Sequence, residues 1–138
     1  MTNGIVPPNQ SENHMAITFA TTFSTTLEIP DLEGKATIVF RRLNAKQQAE
    51  IFSALNKARQ ADDLPAIVHV NIDMLVATIR TIEGLTCEID GKEIVPNFTI
   101  MKDEEKRSFL ESFPFEILEA FVNCYNSHNQ KEVEQKGN

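Results

Sequence analysis

The chain has 138 residues, 41% hydrophobic and 24% charged, with a formal net charge of −7. That length makes one domain with enough interior to fold without disulfides or metals, and a net negative surface repels phosphate, which argues against a general nucleic-acid binder. The apolar runs are too short for a bilayer span, and Met1–Gln10 has neither the basic nor the apolar region of a secretory signal, so a soluble cytoplasmic protein with no membrane partner is expected.

Residues 1–15 are polar, with Pro7-Pro8 and several Asn, and are expected to form a flexible arm. From Ile17 to Ile29, Thr, Phe, Ile and Leu dominate and suit strands. Pro30-Asp31-Leu32-Glu33-Gly34 signals a turn, and Ala36, Ile38 and Phe40 then alternate with Thr37, Val39 and Arg41. Residues 25–42 therefore read as a β-hairpin. Asn44 with Gln47 fits a capping box opening a helix to about Ala61, with Ile51, Phe52, Leu55 and Ala58 as its apolar face. Pro65 suits the first turn of the next helix.

That next helix is the most apolar segment of the chain, residues 67–83. At 100° per residue, Val68, Ile72, Leu75, Val76, Ile79 and Ile82 share one face, and Ile67, Val70 and Met74 share a second. Only His69, Asp73 and Arg80 form a polar stripe, so the helix is expected to be covered from several sides. Gly84 is expected at its left-handed C′ position. Asp90-Gly91, between short alternating runs, predicts a hairpin near 86–95. Asp103 is expected to cap a helix over 104–112, with Glu104 and Glu105 in its first turn. A last helix is expected over about 114–127, before a disordered polar tail, 128–138. The fold class is thus α+β: an N-terminal β-hairpin packed on about four helices, with a second short hairpin, in one domain over 16–127.

No motif spells out a reaction. His69 and Asp73, at i and i+4, face each other, but no Ser or Cys nucleophile is placed beside them, and a surface pair is the simpler reading. No CxxC, HExxH or phosphate-binding glycine loop occurs, so no catalytic, cofactor or metal residues are assigned. Cys87 and Cys124 lie in apolar patterns and read as buried free thiols. Charge is uneven: residues 35–60 hold six bases (Lys35, Arg41, Arg42, Lys46, Lys57, Arg59) against Glu50 alone. This run offers a local patch to an acidic protein partner and speaks against an acidic mimic of nucleic acid. Candidate partner-binding residues are Arg41, Arg42 and Lys46 together with Phe19 and Phe23, whose Thr-rich segment would be a sticky strand if exposed. The alternatives are a solvated face for the bases and core positions for the aromatics.

The order of pieces resembles a known family. A strand pair, TTLEIPDLEGKATIVFRRL, is followed by the helix NAKQQAEIFSAL, the apolar run into a glycine and hairpin, LVATIRTIEGLTCEIDGKEIV, and a terminal helix, ESFPFEILEAFVNCYN. Over residues 25–126 this is similar to the tail assembly chaperones of long-tailed bacteriophages, although Ile82-Glu83 stands where such proteins often carry an aromatic before the glycine. The resemblance implies a non-enzymatic protein of the bacterial host cytoplasm, absent from the mature virion. It would need no cofactor and would bind the tape measure protein while the tube assembles, with the tail tube protein as a second candidate partner. It also implies a longer frameshifted form, and the Phe19 and Phe23 strand, if exposed, offers contact to a second copy in a homo-oligomer. The alternatives are a structural tail or baseplate component retained in the virion, or a generic small protein-binding module.

Overall fold

The computed structural model describes residues 21–28 and 35–136, with residues 128–136 followed as backbone. Phe19, the expected arm 1–15 and the Pro30–Gly34 turn lie outside the described residues. Strand β1 (Thr22–Leu27) pairs antiparallel with β2 (Ala36–Arg41), from Thr22 against Arg41 to Leu27 against Ala36. Successive side chains in a strand point to opposite faces. Phe23, Leu27, Ala36, Ile38 and Phe40 are accordingly buried on one face, while Thr22, Ser24 and Thr26 are exposed.

Helix α1 (Ala45–Gln60) opens as its sequence dictates. The Asn44 side chain accepts from the Gln47 N–H at 2.8 Å, and the Asn44 N–H donates to Gln47 Oε1 at 3.1 Å. Helix α2 (Leu64–Thr78) is capped by Asp63, whose Oδ1 accepts from the Ala66 N–H at 3.1 Å. It packs against α1 and β2 and against two later helices, α3 (Asp103–Glu111) and α4 (Phe115–Lys136), so its apolar character serves a central position.

The helix does not run to residue 83. It stops at Thr78, and Ile79–Glu83 form strand β3 on the free edge of β2, completing a three-stranded sheet in the order β1-β2-β3. Ile79 serves both elements: its N–H still donates to the Leu75 carbonyl while its own backbone is already extended. The misreading has a physical cause. Ile82 pairs with Ile38 and Ile79 with Phe40, with a register shift between Val39 and Phe40. A bulge of this kind lets side chains three positions apart reach the same face. Ile79 and Ile82 are therefore both buried at a spacing that imitates a helix. Pairing with β2 satisfies backbone groups that a longer helix would have left open along that strand, and β-branched Ile79, Thr81 and Ile82 suit the pleat. Gly84 consequently ends a strand. Its φ is +81°, and a Cβ there would lie 2.8 Å from the Lys35 carbonyl oxygen.

Strands β4 (Cys87–Ile89) and β5 (Lys92–Ile94) form the expected second hairpin, with Asp90 and Gly91 both at positive φ as a tight two-residue turn requires. Helix α3 has Lys102 at its cap and Asp103 inside its first turn, where Glu105 accepts from the Lys102 N–H at 3.2 Å. Helix α4 continues beyond the expected end near 127, through a stretch rich in Gln, Lys and Glu that no Gly or Pro interrupts before Gly137.

The fold is α+β, with the sheet on one side and the helices on the other. One aromatic group joins sheet to helix, and a second links the last two helices and the segment before them. Tyr125 of α4 meets Phe23 and Phe40 with ring centres 5.5 and 5.3 Å away, and those two rings stack at 5.3 Å. Phe98, Phe109, Phe113 and Phe121 follow one another at 5.9, 4.8 and 5.3 Å. Such pairs add stabilisation beyond the area they bury. Among the described residues, no helix is long and apolar enough to cross a membrane.

Candidate functional site

Of the described residues that the sequence offered for partner contact, Phe23 is buried, Arg41 and Arg42 are half-buried and Lys46 is exposed. Phe23 is only 8% exposed, because strand alternation turns it toward Phe40 and Tyr125 and away from solvent. Arg41 donates from Nε and Nη2 to the Ala77 carbonyl at 3.3 and 3.0 Å. It thereby places a cation at the C-terminal end of α2, where unpaired carbonyls and the helix dipole favour one. Arg42 lies over the Phe23 ring, 5.2 Å from its centre. Lys46 is exposed in the first turn of α1. Two of the three bases thus also contact a helix end and an aromatic face.

His69 and Asp73 do meet, at 3.4 Å between Nε2 and Oδ2, and the His69 side chain is 67% exposed. Asp73 also pairs with Arg107, which ties α3 to α2 across this edge. Charge-assisted hydrogen bonding of this kind fixes the orientation of both side chains. Cys87 and Cys124 are free, and burial pushes both thiols up, disfavouring the thiolate that nucleophilic or metal chemistry requires. Among the described residues, no group of three His, Cys, Asp or Glu is placed to hold a metal.

A groove between α1, α2 and α4, of about 640 Å³, has the geometry of a binding site. Leu55, Met74 and Val122 form its buried floor, and Phe52, Ile67 and Phe115 rise along its sides. Phe52 is 52% and Phe115 41% exposed. Gln48, Asn71, Asn123 and Asn126 line it with neutral amides, and among the described residues its two charges, Arg59 and Glu119, are of opposite sign. Phe115 also borders a smaller hollow of about 350 Å³ between α2, α3 and α4, walled by Val68, Ile72, Leu110 and Leu118. The two hollows thus share one aromatic ridge.

Local structure explains the groove. Helix α1 packs chiefly on α2, so one stripe, Leu55 and Ala58, suffices for burial. Phe52, expected on the buried face, lies at the edge of that stripe and is left open. Phe115 stands at the first position of α4, just after Pro114, where the helix has not yet reached the sheet. The sequence did display both aromatics, but periodicity alone assigned Phe52 to the core. An apolar groove with a few convergent polar groups is the usual form of a contact site. No family model, curated protein or solved structure matches the chain.

Proposed function

We propose that this protein acts by binding and not by bond-breaking, as a tail assembly chaperone of a long-tailed bacteriophage. In this role it holds the tape measure protein in solution in the host cytoplasm while tail tube subunits assemble, and it is left out of the mature virion. One observation carries the reading: the open groove flanked by Phe52 and Phe115. A groove between helices accepts the apolar face of a further helix, and a tape measure protein is long, helical and apolar. The neutral amide lining accommodates successive stretches of such a client without selecting one charge pattern. The net charge of −7 keeps the loaded complex soluble. The order of elements over residues 25–126 supports the same reading.

The test is co-expression with a tape measure protein from the same genome. Wild-type protein keeps the tape measure protein in the supernatant. The double variant Phe52→Asp/Phe115→Asp, folded by circular dichroism, leaves it in the pellet. Equal solubility with both forms overturns the reading, as does mass-spectrometric recovery of this chain at stoichiometric amounts from purified virions.

A further inference from the structure

A third and shallower cleft, of about 550 Å³, lies between the β4–β5 hairpin and α3. Buried Phe109 is its floor, and Ile89, Ile94 and Met101 are its apolar walls. One face of α3 and its C-cap supply Glu104, Glu105, Ser108 and Ser112, a strip about 12 Å long at the rise of an α-helix. Among the described residues, the two exposed carboxylates are the only charged groups that line the cleft. One oxygen of Glu105 accepts from the Lys102 N–H at 3.2 Å, and the residue lines the cleft. The neighbouring base Lys106 is turned elsewhere, 5.8 Å from the Phe98 ring centre and 4.0 Å from Asp103.

We propose that this cleft binds a cationic amphipathic segment of a partner protein. An apolar side chain sits against Ile89, Ile94 and Phe109, and an adjacent Lys or Arg meets Glu104 and Glu105. Charge complementarity decides the occupant. Any segment that fills the apolar walls strips water from the two carboxylates beside them. An uncharged occupant leaves those carboxylates partly desolvated and unpaired, which is costly. An acidic occupant adds repulsion in a medium less polar than water, where charges interact more strongly. A basic occupant relieves both costs. The length of the strip matches a short stretch of polypeptide, and the site is independent of the role proposed for the first groove, whose lining charges cancel.

The probe is a fluorescein-labelled 14-residue helical peptide of Leu and Lys, with a Leu and Glu peptide of the same pattern as control, read by anisotropy. The Leu–Lys peptide binds and the Leu–Glu peptide does not. Glu104→Gln/Glu105→Gln weakens binding by about tenfold, in the range for losing desolvated charge pairs. Asp62→Asn/Asp63→Asn, which removes the same charge elsewhere and keeps a capping residue for α2, leaves it within about twofold. Ile94→Asp also weakens binding, with folding verified by circular dichroism. Equal losses from the two acidic pairs overturn the proposal, because binding then follows only the overall field. Unchanged binding in Glu104→Gln/Glu105→Gln also overturns it, leaving those acids a role only at the helix N-terminus. So does loss of peptide binding in Phe52→Asp, which places the peptide in the other groove. A dimer in sedimentation that Ile94→Asp dissociates, with no peptide bound, assigns the cleft to a second copy and overturns it as well.

Discussion

Two sets of aromatic residues in this molecule have opposite fates. Phe23, Phe40 and Tyr125 close on one another between the sheet and α4, and all three are buried. Phe52 and Phe115 flank a groove between helices and remain exposed to solvent. The residue type is the same, so the number of neighbouring elements makes the difference. A sheet presents a flat face that a helix covers completely, whereas three helices meeting at their edges leave a furrow. The closed set stabilises the fold and the open set is available for contact.

The largest effect that sharpens this contrast is on stability. Phe40→Ala is expected to lower unfolding free energy by about 3–5 kcal/mol in urea titration, the usual range for emptying a buried aromatic site. Phe52→Ala, in the open set, is expected to change it by less than about 1 kcal/mol. Comparable losses at both positions break the comparison.

The junction of α2 and β3 comes next. Gly84→Ala is expected to cost about 1–3 kcal/mol, because its positive φ strains any other residue and the added Cβ meets the Lys35 carbonyl. Gly91→Ala, at a similar φ but facing open space, is expected to cost about 1 kcal/mol. A smaller loss at Gly84 than at Gly91 argues against the close approach of β3 to β2. Arg41→Met is expected to cost about 1–2 kcal/mol through the lost bonds to the end of α2. Lys46→Met, on an exposed first turn, is expected to stay within about 0.5 kcal/mol. If Lys46 is instead the costlier position, the basic residues act as a surface patch and not as fold contacts.

The smallest effect is that of pH. Burial raises both thiols above their ordinary value, so the folded state holds its protons longer than the unfolded chain does. Their contribution is complete below the ordinary thiol range and is lost as pH rises through the raised values. Denaturation midpoints are expected to fall slightly through that alkaline window, and Cys87→Ala/Cys124→Ala is expected to flatten the slope.

Much of this architecture was legible in local chemistry. The Asn44–Gln47 box, the Asp90-Gly91 turn and the alternation of Ala36, Ile38 and Phe40 each carry their own structural instruction, and each forms as read. Strand β3 was not legible. Its bulge gives Ile79 and Ile82 a helical spacing, and only the free edge of β2, distant in sequence, turns that segment into a strand. The groove was illegible for a related reason. Exposure of Phe52 depends on how many helices surround α1, and periodicity along α1 does not encode that number. Arg41 and Arg42 look like surface charges in sequence because a helix end and an aromatic face become their partners only after folding.

Amide hydrogen exchange with and without a helical apolar segment of the tape measure protein tests the open set most directly. Expected is new protection in the middle of α1, along α2 and in the first turns of α4, with exchange in β1, β2 and β3 unchanged. Protection confined to the sheet, with the walls around Phe52 and Phe115 exchanging as before, contradicts a client held in that furrow.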